Sequence, residues 1–179
     1  MGSTGGYATI QDAIDAASAD DIIQVEAGTY TGNITIDKSI TLLGAQAGTA
    51  ATGSARASGE SVIDGGGQFD LTIVADNVTI DGFEIRNFYR DGIRVYTALD
   101  EKPGDPSIDA YRTGVTITNN WIHSEATTGQ HNGILLGESS TGYVTAVAEV
   151  NDLNISRNYI EIAAPANLGV SRSRATSPS

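Results

Sequence analysis

The chain has 179 residues and a formal net charge of -12, with 10 Lys+Arg against 22 Asp+Glu. So acidic a surface argues against nucleic acid and anionic membrane as partners, and no run approaches the roughly 18 apolar residues of a membrane span. With no cysteine, a disulfide frame and a thiolate metal site are excluded, while 40% hydrophobic residues and 21 glycines suit one turn-rich globular domain.

Residues 1–8 read as a flexible start. The opening MGSTGGYATI carries neither a basic nor an apolar region, so no signal peptide is visible. If MGSTGG is an expression remnant, an export signal has been removed, and a secreted or cell-surface location is the expectation. Thr9-Ile-Gln-Asp12 has the form of a capping box, and Ile10, Ala13, Ile14 and Ala17 follow at helical spacing. This predicts a short helix over 10–18, placed to cover the open first end of a stack of strands.

Asp21–Glu26 is the first predicted strand, residues 27–30 a turn, Ile34–Ile36 a strand, Asp37-Lys38 a turn, and Ile40–Leu43 a strand. Residues 45–59, rich in small side chains, read as a mobile loop. Val62-Ile63 is a strand ended by Asp64-Gly65-Gly66-Gly67. No helix pattern follows these glycines, so a tight bend fits better than a phosphate cradle.

From Leu71 onward the pattern repeats. An apolar-x-apolar pair (Val78/Ile80, Val115/Ile117, Leu153/Ile155) is followed by an isoleucine (Ile85, Ile122, Ile160), then by a glycine-apolar step at Gly92-Ile93, Gly133-Ile134 and Gly169-Val170. Val78 and Val115 are 37 positions apart, Val115 and Leu153 are 38. A fixed period of this size signals stacked repeats, and the period-two beats make the units strands. No copy can bury its apolar face alone, so the copies must stack, three strands to a coil. The insertions Tyr96–Gly114 and Gly137–Asp152 enter at one recurring place. Asn120 and Asn158 share one corner position, with Phe83 there in the preceding copy, which predicts an asparagine ladder. Trp121 and Tyr159 fall one coil apart in the next position, an aromatic pair that could also stack on a sugar. Residues 172–179 read as a disordered tail after a domain spanning 9–171.

The segment YATIQDAIDAASADDIIQVEAGTYTGNITIDKSITLLG, Val62–Gly65 followed by NVTIDGFEI, and the N-N-x-I and G-I-x-L rungs resemble the right-handed parallel β-helix proteins of the pectin-lyase-like superfamily. The resemblance covers about residues 6–171. It implies an all-β solenoid of about five coils with three strands each and an N-terminal helix cap. It also implies a polysaccharide or cell-surface glycan as partner, and a site along the G-I-x-L column between the flanking loops. The catalytic sets of that superfamily are incomplete here. Gly32 stands where its methylesterases usually have Glu, the paired aspartates of its polygalacturonases are absent, and Gln130-His131-Asn132 is the nearest text to the D-P-H of its epimerases.

Alternation makes Thr35, Thr72, Arg94 and Leu135 the outward column. The turn before it offers Arg90-Asp91 in one coil and His131-Asn132 in the next, stacked about 4.8 Å apart. Asp91, Arg94 and His131 are the candidate catalytic residues: Asp91 as acid or calcium ligand, Arg94 as base or carboxylate binder, His131 as proton shuttle. Arg90, Tyr96, Asn132 and Trp121 are candidate substrate contacts. Asp100, Asp105 and Asp109 are candidate ligands for Ca2+, the one cofactor considered, although their spacing matches no known loop motif. His123, at a turn after Ile122, is a weaker candidate. Three readings follow: an extracellular glycan-binding or surface-attachment module; a uronate-polymer lyase or epimerase; and a structural subunit self-associating end to end through its C-terminal rung.

Overall fold

The computed structural model describes residues 6–56, 59–68, 70–96, 111–125, 132–136 and 149–162. Among the described residues there are one helix and sixteen strands. The first coil holds β1 (Ile22–Gln24), β2 (Gly28–Thr31) and β3 (Ile34–Ile36); the second holds β4 (Thr41–Leu43), β5 (Ser61–Asp64) and β6 (Leu71–Ile73). The third holds β7 (Thr79–Asp81), β8 (Phe83–Arg86) and β9 (Asp91–Val95). The fourth holds β10 (Tyr111–Thr113), β11 (Thr116–Thr118), β12 (Trp121–Ser124) and β13 (Asn132–Leu136), and the fifth β14 (Glu149–Asn151), β15 (Asn154–Ser156) and β16 (Tyr159–Ile162).

Every strand pairs with its equivalent one coil away. The sheets run β1-β4-β7-β11-β15, β2-β5-β8-β12-β16 and β3-β6-β9-β13, and all pairings among the described strands are parallel. This is a parallel β-helix, with five coils among the described residues. The interior is built from columns: Leu42, Ile80 and Ile117 on one sheet, Ile63, Ile85 and Ile122 on the second, Ile36, Ile73 and Val95 on the third, all buried. Each layer shelters the next, which is how strands of three to five residues acquire a core.

The helix, α1 (Ile10–Ala16), closes the first coil. Thr9 caps it, its Oγ1 accepting from the Asp12 amide at 3.0 Å, and Ile10, Ala13 and Ile14 are buried. Gln11 acts as a substitute strand: its Oε1 accepts from the Thr35 amide (2.8 Å) and its Nε2 donates to the Thr35 carbonyl (3.2 Å). The exposed edge of β3 is thereby paired. Lys38 Nζ donates to the carbonyls of Ile14, Asp15 and Ala17 at 2.9, 2.8 and 3.1 Å, satisfying the helix's C-terminal end.

One expectation needs correction. Residues 27–30 are not a turn, because β2 pairs with β5 along Gly28–Thr31. A small-residue stretch adopts the extended form when a neighbouring strand supplies the hydrogen bonds. The ends of the two insertions form a fourth, two-stranded ladder, β10 with β14. The loop from 45 is tied down through its described part: Arg56 donates to Thr49 O (2.7 Å), Asn119 O (2.7 Å) and Glu60 Oε2 (2.8 Å), and Gln46 is buried and donates to Gly59 O. The predicted bend after Asp64 is present, with Asp64 Oδ1 accepting from the Gly66 amide at 3.0 Å.

Two glycines are required by close approach. Gly82 has φ 82°, and a side chain there would run into the backbone of residues 46 and 47. A Cβ on Gly92 would lie 2.6 Å from both the Gly133 carbonyl oxygen and Ile122 Cγ2. Gly92 therefore makes room for Ile122, and Gly133 for Ile160, in the following coil.

Candidate functional site: the β9 face

The outward column forms in the expected register: Thr35 beside Thr72, Thr72 beside Arg94, Arg94 beside Leu135. The side chains of Ile93 and Val95 enter the core, so Arg94 lies on the opposite face. That face is not bare at β9, where Arg94 is only 5% and Asp91 only 1% exposed. The Tyr96 ring lies over the Arg94 guanidinium, 4.1 Å from its centroid, and Arg112 Nε donates to the Tyr96 carbonyl at 2.9 Å. Asn132, Asp91's partner in register, is exposed at the rim, and its Nδ2 donates to Asp91 Oδ1 at 2.7 Å.

The centre of this cluster is under-bonded. Among the described residues, Asp91 Oδ2 accepts no hydrogen bond, and it lies 3.9 Å from Arg94 Nη1, a loose ion pair. Arg94 Nε and Nη2 are also buried without a partner among the described residues. A buried N–H left unpaired costs about 1–3 kcal/mol. Nε and Nη2 form one edge of the guanidinium, the edge that grips a carboxylate through two parallel hydrogen bonds.

Burial pushes the Asp91 carboxyl above its ordinary value, and the neighbouring Asp70 charge pushes the same way; the Asn132 hydrogen bond and the charges of Arg94 and Arg90 oppose them. Asp70 Oδ1 accepts from three successive backbone amides, those of Tyr89 (3.1 Å), Arg90 (3.0 Å) and Asp91 (3.2 Å). Asp70 was not among the sequence candidates, since its contacts are to main chain about twenty positions away.

Thus Asp91, Arg94, Tyr96 and Asn132 come together, with Arg90 beside them. Trp121 does not join them. It sits on the second sheet with its ring stacked on His123, centroids 4.3 Å apart. There His123 Nε2 is 3.1 Å from Glu84 Oε1, Glu84 also accepts from Arg86 (3.1 Å), and Arg86 pairs with Asp64 (3.0 Å). Arg86 and His123 are thus tied into a polar ladder running across the sheet. Burial opposes ionisation of Asp64, but hydrogen bonds from the Gly66 amide, Arg86 and Asn87 outweigh it and hold its carboxyl below the usual value. His131, Asp100, Asp105 and Asp109 lie outside the described residues. Among the described residues, no group of three or more His, Asp or Glu is arranged to hold a metal ion.

Stacked parallel coils, a helix over the first coil and an asparagine corner ladder define the class: a parallel β-helix protein with a polar cluster on one sheet. Within that class, the chain belongs to the family described as protein of unknown function (DUF1565), whose model matches residues 2–177. Comparison with curated proteins and with solved structures finds no match.

Proposed function

We propose that this protein is an extracellular glycan-binding module of the pectin-lyase-like kind, and that the β9 face binds an acidic sugar through Arg94. The observation that carries this reading is the Nε/Nη2 edge of a buried arginine, which has no partner among the described residues. A uronate carboxylate supplies the two acceptors that edge lacks. The Thr35–Thr72 column below, and Asn132 and Leu135 above, offer hydroxyl, amide and apolar contacts at one-coil spacing, suited to an extended chain of sugar units. The ligand enters from the Asn132 rim, displacing part of the cover over Arg94.

Titration calorimetry with oligouronates, against neutral oligosaccharides of equal length, tests this reading. Charge-assisted hydrogen bonds contribute about 1.5–3 kcal/mol, so Arg94→Ala is expected to weaken uronate binding about 10- to 100-fold. Arg94→Lys recovers little, since an ammonium lacks the planar fork. Equal affinity for neutral chains, or an unchanged Arg94→Ala variant, contradicts the reading.

A second reading, a uronate-polymer lyase or epimerase, is favoured by the raised Asp91 carboxyl beside Arg94, a pairing suited to acid–base work. Turnover of uronate polymer, lost in Asp91→Asn, selects it; tight binding without turnover selects the first.

A further inference from the structure

The residue that joins the shape of this cluster to its charge is Asp70. One oxygen of its carboxylate gathers the amides of Tyr89, Arg90 and Asp91, the corner from which β9 starts. Three amide donors on one oxygen fix that corner. A fixed negative charge therefore sits beside a buried carboxyl whose Oδ2 has no donor. Among the described residues, the groups facing Asp91 are Asp70 from the segment before β6, Asn132 from β13, and Arg90 and Arg94 from its own segment.

We infer that Asp70 is a positioning residue of the site, holding the Asp91 corner in place and making carboxylate binding at Arg94 proton-dependent through Asp91. This rests on the glycan-binding reading above. When Asp91 is ionised, its charge competes for the Arg94 guanidinium and repels an incoming carboxylate. When Asp91 takes up a proton, Arg94 is left to the ligand. Burial and the Asp70 charge move that uptake above the usual carboxylate range. Uronate affinity therefore falls as pH rises through the Asp91 titration.

The test uses Asp70→Asn, which keeps an acceptor oxygen for the three amides and removes the charge. In the ligand-free protein, carbon-detected NMR follows the Asp91 carboxyl with pH. The midpoint is expected to fall by roughly half a pH unit or more in the variant. Calorimetry with a uronate oligomer across the same pH range is expected to show the affinity midpoint falling by the same amount. Asp91→Asn is expected to bind with affinity flat across that range, a readout that stands even if Asp70→Asn does not fold. An unmoved NMR midpoint in folded Asp70→Asn overturns the role of Asp70. A moved midpoint with no uronate binding at any pH leaves the Asp70–Asp91 coupling standing and overturns the glycan reading. PH-dependent binding that persists in Asp91→Asn overturns the role of Asp91.

Discussion

The side-chain amide of Asn120 donates to Asn158 Oδ1 at 3.1 Å, one coil away, and to the Ile80 carbonyl at 3.1 Å, one coil in the other direction. Its own oxygen accepts from the Phe83 amide at 3.0 Å, and Asn120 is fully buried. One side chain thus ties three coils at the corner between two sheets. Asn120→Ala leaves buried amides and carbonyls unpaired, so it is expected to destabilise by about 2–4 kcal/mol. Urea unfolding followed by circular dichroism measures this; a loss below about 0.5 kcal/mol removes the ladder's structural role.

Arg56 and Glu60 form an ion pair with side chains only 6% and 4% exposed. Removing one partner strands a buried charge, so Arg56→Ala is expected to cost about 3–5 kcal/mol. The double variant Arg56→Met/Glu60→Leu is expected to recover much of that loss. Thermal unfolding of the three proteins checks it, and a double variant no more stable than Arg56→Ala contradicts it.

Two aspartates push the pH dependence of stability in opposite directions. The folded-state value of Asp64 is lowered, so its contribution is present above the unfolded value and is lost as pH falls through the folded one. The folded-state value of Asp91 is raised, so its contribution is present below the unfolded value and is lost as pH rises through the folded one. Asp64→Asn is therefore expected to destabilise at neutral pH, and Asp91→Asn to stabilise there, with both differences shrinking in acid. Denaturation midpoints at neutral and acid pH test both signs.

The last described coil breaks the burial pattern. Ile155 and Ile160 are 41% and 45% exposed, whereas Ile117 and Ile122, directly above them in register, are at 0%. We propose self-association through this coil, because exposed apolar patches recruit partners. Light scattering over a concentration series is expected to show mass rising in the wild type and constant in Ile155→Asp/Ile160→Asp. A monomer at every concentration removes this reading.

The coils were legible in the sequence because their interior beats are strong. The spacing of Ile80, Ile117 and Ile155 and the glycine-isoleucine steps set the strand register, including the column through Thr72, Arg94 and Leu135. Strand β2 was hidden, since Gly28 and Thr29 carry no apolar beat and its pairing comes from β5. Burial of Arg94 was hidden for a related reason: alternation tells which way a side chain points, whereas Tyr96, bonded by Arg112, lies over it through contacts that no local spacing encodes. Asp70 works through main-chain amides, which leave no mark on the residues that donate them.

The 15N–1H signal of Arg94 Nε, followed while a uronate oligomer is added, reports directly on whether the free guanidinium edge is a binding site. A saturating shift with the uronate, absent with the matched neutral oligomer, is predicted; an Nε signal that stays put while the oligomer binds elsewhere would contradict the assignment of this face.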